Sequence, residues 1–184
     1  MHHIYTTPAF IIHSSQHGEA GKFLMMFTRD FGMIGATAQG IRLIQSKLRY
    51  HTQDSSYSNI SIVRGKEVWR LTGAQGLEYQ KNNILYLKIL KLLKRLLQGE
   101  EKNEKLFNIV EKLYLTPIEE KDYEIVESLT VLRILNTLGY VGYIDELGQF
   151  LGSDHINTEL LMNFSSYKQK VIKIINESLK QSQL

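Results

Sequence analysis

Between Gly40 and Tyr50 the chain reads Gly-Ile-Arg-Leu-Ile-Gln-Ser-Lys-Leu-Arg-Tyr, which spaces Arg42, Lys47 and Arg49 around Ser46 and just ahead of Tyr50. Cations in such a pattern suit a polyanion. Lys and Arg neutralise phosphates and release condensed counterions, and the face of a Tyr can stack a base. No acidic residue falls between Asp30 and Asp54, so these three charges are locally unopposed. Residues 1–80 carry eight Lys and Arg against five Asp and Glu, so the net charge of +3 on the 184-residue chain belongs to its first part. A solvated surface loop is the competing reading of three charges taken alone.

Nothing comparable argues for catalysis. The six histidines (His2, His3, His13, His17, His51 and His155) are scattered and form no metal-ligand spacing. His13 and His17 read as residues flanking a turn. There is no cysteine, which removes disulfides, thiol chemistry and Cys-based zinc sites. Neither a phosphate loop nor a nucleophile elbow occurs. The carboxylate pairs Glu100-Glu101 and Glu119-Glu120 sit in charge runs at helix boundaries, where a solvated surface is the ordinary outcome. The expectation is a protein with no catalytic residues, no cofactor and no metal.

Two halves must position the cationic segment. Up to about residue 75 the chain reads as short strands: Phe10–Ile12, Phe23–Thr28, Met33–Ala38, Ile60–Arg64 and Val68–Thr72. Gly18, Gly21, Asp30, Gly32 and Gly40 punctuate them, and Arg64-Gly65-Lys66 reads as a tight hairpin turn. Five short strands suggest a small barrel, of OB or SH3-like type. On this reading Arg42, Lys47 and Arg49 lie on a loop leaving the third strand. After Gly76 the period becomes 3.6 residues. Ile84 to Leu97 is apolar over much of its circumference and is expected to be a central helix, with Lys88, Lys91 and Lys94 reaching solvent. Further helices are expected over 106–114, from about 122 to 138, and within 160–179, with Gln75 to Gln80 as the junction. No segment has the run of about 20 apolar residues a membrane helix needs, and the N-terminus lacks a secretory pattern, so the default location is the cytoplasm.

The ordered features of residues 9–74 resemble the N-terminal domain of the RecO recombination and repair mediators. Ala9-Phe10-Ile11-Ile12 opens the match and Gly18-Glu19 precedes the second strand. Leu24 to Gly32 follows, with Thr28, Arg29 and Asp30 before the glycine. Ala36-Thr37-Ala38-Gln39-Gly40-Ile41-Arg42 then leads to Ser46-Lys47-Leu48-Arg49, and Arg64-Gly65 and Leu71-Thr72 close it. In the second half, Leu132 to Tyr140 resembles the family's helix ending in Leu-Gly-Tyr.

The resemblance implies an α+β protein: a five-stranded OB-fold barrel over residues 1–78 followed by an all-helical domain over 79–184. It implies a non-enzymatic mediator that binds single-stranded DNA, anneals complementary strands and assists recombinase loading. Arg42, Lys47 and Arg49 are the leading DNA-binding candidates, with Arg29, Arg64 and Lys66 beside them. The implied partners are single-stranded DNA, a RecR-type mediator, the tail of the single-strand-binding protein and the recombinase, with no membrane. The alternative is an RNA- or ribosome-associated barrel, or a module whose basic loop docks an acidic peptide. Two departures stand out. Many members carry a four-cysteine zinc site after the Leu-Gly-Tyr, and here Val141 to Gly152 must be abbreviated or hold itself by packing. The basic positions that hold the single-strand-binding protein's tail have no one-to-one counterparts in this shorter helical half.

Glu19 and Thr28 read as turn and strand-end hydrogen bonders, Gly32 and Gly40 as backbone requirements, and Phe27 as core. Trp69 reads as core or a base-stacking ring. Arg133, inside an apolar helix, is expected to pair with a neighbouring acid.

Overall fold

The computed structural model describes residues 3–78, 84–152 and 155–181. Five strands come first: β1 (Ile4–His17), β2 (Gly21–Thr28), β3 (Gly32–Ala38), β4 (Tyr57–Arg64) and β5 (Trp69–Glu78), with the short helix α1 (Leu48–His51) between β3 and β4. They close into a barrel in the order β1-β2-β3-β5-β4. β3 and β5 run parallel through Ala36 opposite Trp69 and Thr37 opposite Arg70, and the other pairs are antiparallel. That strand order, with a helix entering between β3 and β4, is the OB arrangement and settles the choice against an SH3-like barrel.

Closure depends on β1. It spans 14 residues rather than the three expected, because its first half pairs with β4 and its second with β2. A register shift between Ile11 and His13 marks a bulge, which sharpens the twist and turns one strand from one partner to the next. Pro8 therefore lies within β1, at the crossover, and its carbonyl accepts from the Arg29 amide at 3.0 Å. A proline is tolerated there because its missing donor falls where the ladder changes partner. His13 is mid-strand, 3.6 Å from the Asp54 carboxylate, and only His17 borders the turn into β2.

Alternation along the strands sends Ala9, Ile11, Leu24, Met26, Ile34, Ala36, Ile60, Ile62, Trp69 and Leu71 into the barrel. Phe10, Phe27 and Tyr57 are also buried but belong to the opposite faces of their strands, with the Phe10 and Tyr57 rings stacked at 4.5 Å. Thr28 ties the β2–β3 turn as expected. Its Oγ1 donates to the Gly32 carbonyl at 2.9 Å and accepts from the Phe31 amide at 3.0 Å.

The helices are α2 (Ile84–Leu96), α3 (Glu104–Leu115), α4 (Tyr123–Thr137), α5 (Gly148–Leu151), α6 (Thr158–Ser165) and α7 (Lys168–Gln181). The chain divides into two compact units, one of residues 1–82 with 90–104 and one of 83–89 with 105–184. The expected junction at 75–80 falls partly outside the described residues. Lys88, Lys91 and Lys94 are exposed on α2. On the same helix Leu85, Tyr86, Ile89, Leu90, Leu93 and Leu96 are buried. Within the helical unit, α4 packs against α5, α6 and α7. Its small buried residues Ser128 and Thr130 let neighbours approach sides that an apolar count discounts.

Arg133 lies on α4, 3% exposed. Its Nε donates to the Phe150 carbonyl at 2.8 Å and an Nη donates to the His155 carbonyl at 3.3 Å. Those bonds, with buried Val141, Leu147, Phe150 and Leu151, hold the segment that follows Leu138-Gly139-Tyr140.

Two substitutions test these supports. Arg133→Met leaves the two carbonyls unpaired and is expected to lower stability by about 2–3 kcal/mol, read as a lower urea midpoint at unchanged slope. Gly32 has φ +67°, and a Cβ there would sit 2.1 Å from the Glu101 carbonyl oxygen. Gly32→Ala is expected to destabilise by about 1–3 kcal/mol for the backbone strain alone, measured in the same way.

Candidate nucleic-acid interface

The β3–α1 connection begins as β3 ends at Ala38 and turns at Gly40, whose φ of +65° favours glycine. Ile41 then folds back into the barrel, 1% exposed, among the residues of the interior cluster. Plugging the barrel with Ile41 forces its neighbours outward. Arg42 is exposed but held at both ends: its amide donates to the Ala20 carbonyl at 3.0 Å and its Nη1 to the Glu19 carbonyl at 3.2 Å. The turn role expected of Glu19 is thus carried by its backbone. Lys47 stands just before α1, and Arg49 is within α1 rather than on a loop. Thr52 ends that helix, its Oγ1 donating to the Leu48 carbonyl at 2.7 Å. The Leu48 side chain packs against the barrel interior, which makes a helical turn more favourable here than an open loop.

Arg42 and Arg49 meet a third cation. Lys22, at the start of β2, lines with them, Ile41 and Thr52 a cavity of about 270 Å³. No acidic residue is among its described lining. Lys22 Nζ also donates to Ser14 Oγ at 3.2 Å. None of the ion pairs among the described residues involves Lys22, Arg42, Lys47 or Arg49. Lys22 is 20 residues from Arg42 in sequence, and only the pairing of Lys22 with Ala38 brings it to the mouth of the connection. Sequence spacing carries no signal for that. Lys47 is exposed beside the cavity without lining it, and Tyr50 is 70% exposed on α1.

The remaining cations lie elsewhere on the barrel. Arg29 follows the far end of β2, roughly 20 Å from Lys22 at the rise of a strand. Arg64 and Lys66 belong to the β4–β5 hairpin, closed by the Gly65 amide donating to the Val68 carbonyl at 3.1 Å. Arg64 is engaged: it pairs with Glu100 through Nη1 and lies 4.8 Å above the centre of the Trp69 ring. Trp69 itself is 4% exposed and donates from Nε1 to the same Glu100 carboxylate at 3.1 Å, so its ring is core and not a stacking platform. Among the described residues no group of three or more His, Asp or Glu is placed to hold a metal ion, and no helix is long and apolar enough to cross a membrane.

The helical unit offers a groove of about 530 Å³. Val131, Ile172 and Ile175 give it apolar walls, and Lys88 and Lys168 stand at its edge. Both lysines are paired, Lys88 with Glu127 and Lys168 with Glu124, each at 2.6 Å. The hydrogen bond from Lys168 holds the Glu124 carboxyl below the usual carboxylate range.

These features define a class: an OB-fold barrel with a cationic cleft beside its β3–α1 connection, followed by a helical unit. The family model for the N-terminal part of recombination protein O matches residues 1–80. A DNA repair protein RecO from Dehalococcoides mccartyi is 30% identical over 172 residues, covering 89% of this chain and 66% of the relative. The DNA repair protein RecO of Clostridium perfringens is 30% identical over 138 residues, covering 71% of this chain and 56% of the relative. That of Alkaliphilus metalliredigens is 26% identical over 141 residues, covering 72% and 57%. The chain belongs to the RecO family. It spans about two thirds or less of the length of these curated relatives.

Three like charges around one cavity repel each other, and a bound anion relieves that repulsion. Pyrophosphate is therefore expected to raise the unfolding midpoint more than sodium chloride of equal ionic strength, because it binds the folded state alone. Lys22→Ala with Arg49→Ala should abolish the increment in a thermal melt.

Proposed function

We propose that this chain is a DNA repair mediator that holds single-stranded DNA on the basic end of its barrel, anneals complementary strands and assists recombinase loading, without catalytic turnover. The observation that carries the reading is the convergence of Lys22, Arg42 and Arg49 on one cleft with no carboxylate in its described lining. Two phosphate backbones repel, and a platform that neutralises both lowers the barrier to pairing without reading sequence. Lys47 extends the cationic surface, and the exposed ring of Tyr50 offers a face to a base. Of the hairpin pair, Arg64 is already matched by Glu100, so it contributes less to an unpaired surface than the cleft does.

A RecR-type mediator and the recombinase complete the proposed partner set. For the acidic tail of a single-strand-binding protein, the groove on the helical unit has the apolar walls such a tail needs. Lys88 and Lys168 must leave Glu127 and Glu124 to meet it.

Strand annealing in the absence of nucleotide separates this reading from an acidic-peptide module, which does not speed annealing. The protein is expected to accelerate the pairing of two complementary oligonucleotides, and a rate equal to the uncatalysed one would contradict the proposal. Replacing Lys22, Arg42 and Arg49 together by Ala should flatten the dependence of log K on log salt by about 0.7 for each phosphate that is no longer neutralised. The change should be alike for pyrimidine and mixed sequences, because phosphates carry no base identity.

A further inference from the structure

Leu43 and Ile44 sit at the tip of the connection that carries the cations, and their exposure is unlike that of the rest of the loop's apolar content. Ile41 is 1% exposed, whereas Leu43 is 46% and Ile44 87% exposed. The tip is built from successive turns. The Leu43 amide donates to the Gly40 carbonyl at 3.1 Å, the Ser46 amide to the Leu43 carbonyl at 3.0 Å and the Arg49 amide to the Ser46 carbonyl at 3.4 Å. Leu43 Cδ1 lies 3.4 Å from where a Cβ on Gly40 would stand, so the leucine lies back against the turn. Ile44 is left exposed, with exposed Arg42 two residues before it and exposed Lys47 and Arg49 three and five residues after it. A β-branched aliphatic residue is a poor choice for a turn, where small and polar residues dominate, so this one calls for a partner.

We propose that Leu43 and Ile44 form an apolar wedge that enters between the bases of the bound single strand. The occupant follows from charge. An apolar tip bracketed by three cations, none paired with a carboxylate among the described residues, suits a ligand with an anionic backbone and apolar faces, which is a nucleic-acid strand. Phosphates on Arg42, Lys47 and Arg49 would bring the bases over the tip, and aliphatic side chains open base steps in this manner in other complexes. The wedge would keep the bases of a held strand unstacked and open to a complementary strand. It rests on the reading that the cleft holds single-stranded DNA.

The test uses a single-stranded oligonucleotide with 2-aminopurine between adenines, whose fluorescence rises on unstacking. Binding of the full chain is expected to raise the signal at least twofold. Leu43→Ser with Ile44→Ser, compared at saturating protein, should keep the salt dependence of binding set by the phosphate contacts, yet lose most of the rise. Ile44→Phe should keep it. Circular dichroism confirms that the variants fold. Binding with no rise, or a rise that survives the double substitution, overturns the wedge and leaves the cleft intact. No binding by the parent overturns the cleft as well. If the double substitution instead converts a dimer to a monomer by sedimentation, the tip is an interface between copies and the proposal is wrong.

Discussion

The interior of the barrel is filled by apolar side chains from its five strands, and Ile41 joins them from the β3–α1 connection. Burying an Ile in this way contributes about 1.5–3 kcal/mol, enough to hold a connection that bears several like charges. With Ile41 fixed inside and Gly40 turning the chain at positive φ, Arg42 can only face outward. Its two bonds to the β1–β2 turn then lock the connection beside Lys22. The cationic cleft is thus a consequence of how the barrel is plugged, and loosening the plug would scatter its charges.

The charges of the barrel fall into two electrostatic states. At the β4–β5 hairpin, Glu100 takes the Arg64 guanidinium and the Trp69 indole together, and at the β2–β3 turn Lys102 approaches Asp30 at 3.7 Å. These bonds join the segment after α2 to the barrel and neutralise part of its surface. None of the ion pairs among the described residues involves Lys22, Arg42, Lys47 or Arg49, so beside α1 that charge is left unbalanced. Concentrating like charge destabilises a free protein slightly and attracts a polyanion, and the same imbalance does both.

The barrel is largely legible in the sequence because alternation and turn residues are local signals. The five runs of apolar residues all fall inside observed strands apart from Val68, and the hairpin at Arg64 to Lys66 is where the punctuation puts it. The length of β1 is hidden, since Pro8 looks like a boundary and no local pattern shows that a strand changes partner at a bulge. Arg42 and Arg49 are legible as unopposed charges, but their meeting with Lys22 depends on the β2–β3 register, which is a long-range property. The fate of Trp69 and Arg64 is set by Glu100, more than thirty residues on, and no spacing rule reaches that far. The bonds from Arg133 to the Phe150 and His155 carbonyls, which tie down the segment after Tyr140, also reach beyond any local spacing.

The most direct measurement is a map of backbone amide chemical-shift changes when an oligothymidylate is titrated into the full chain. The account predicts the largest changes at Lys22, over Gly40 to Thr52 and at the Glu19–Ala20 turn, with the groove of the helical unit unaffected. Changes centred on Arg64 to Arg70, or on α4 and α7, with the Gly40 to Thr52 amides unmoved, would contradict it.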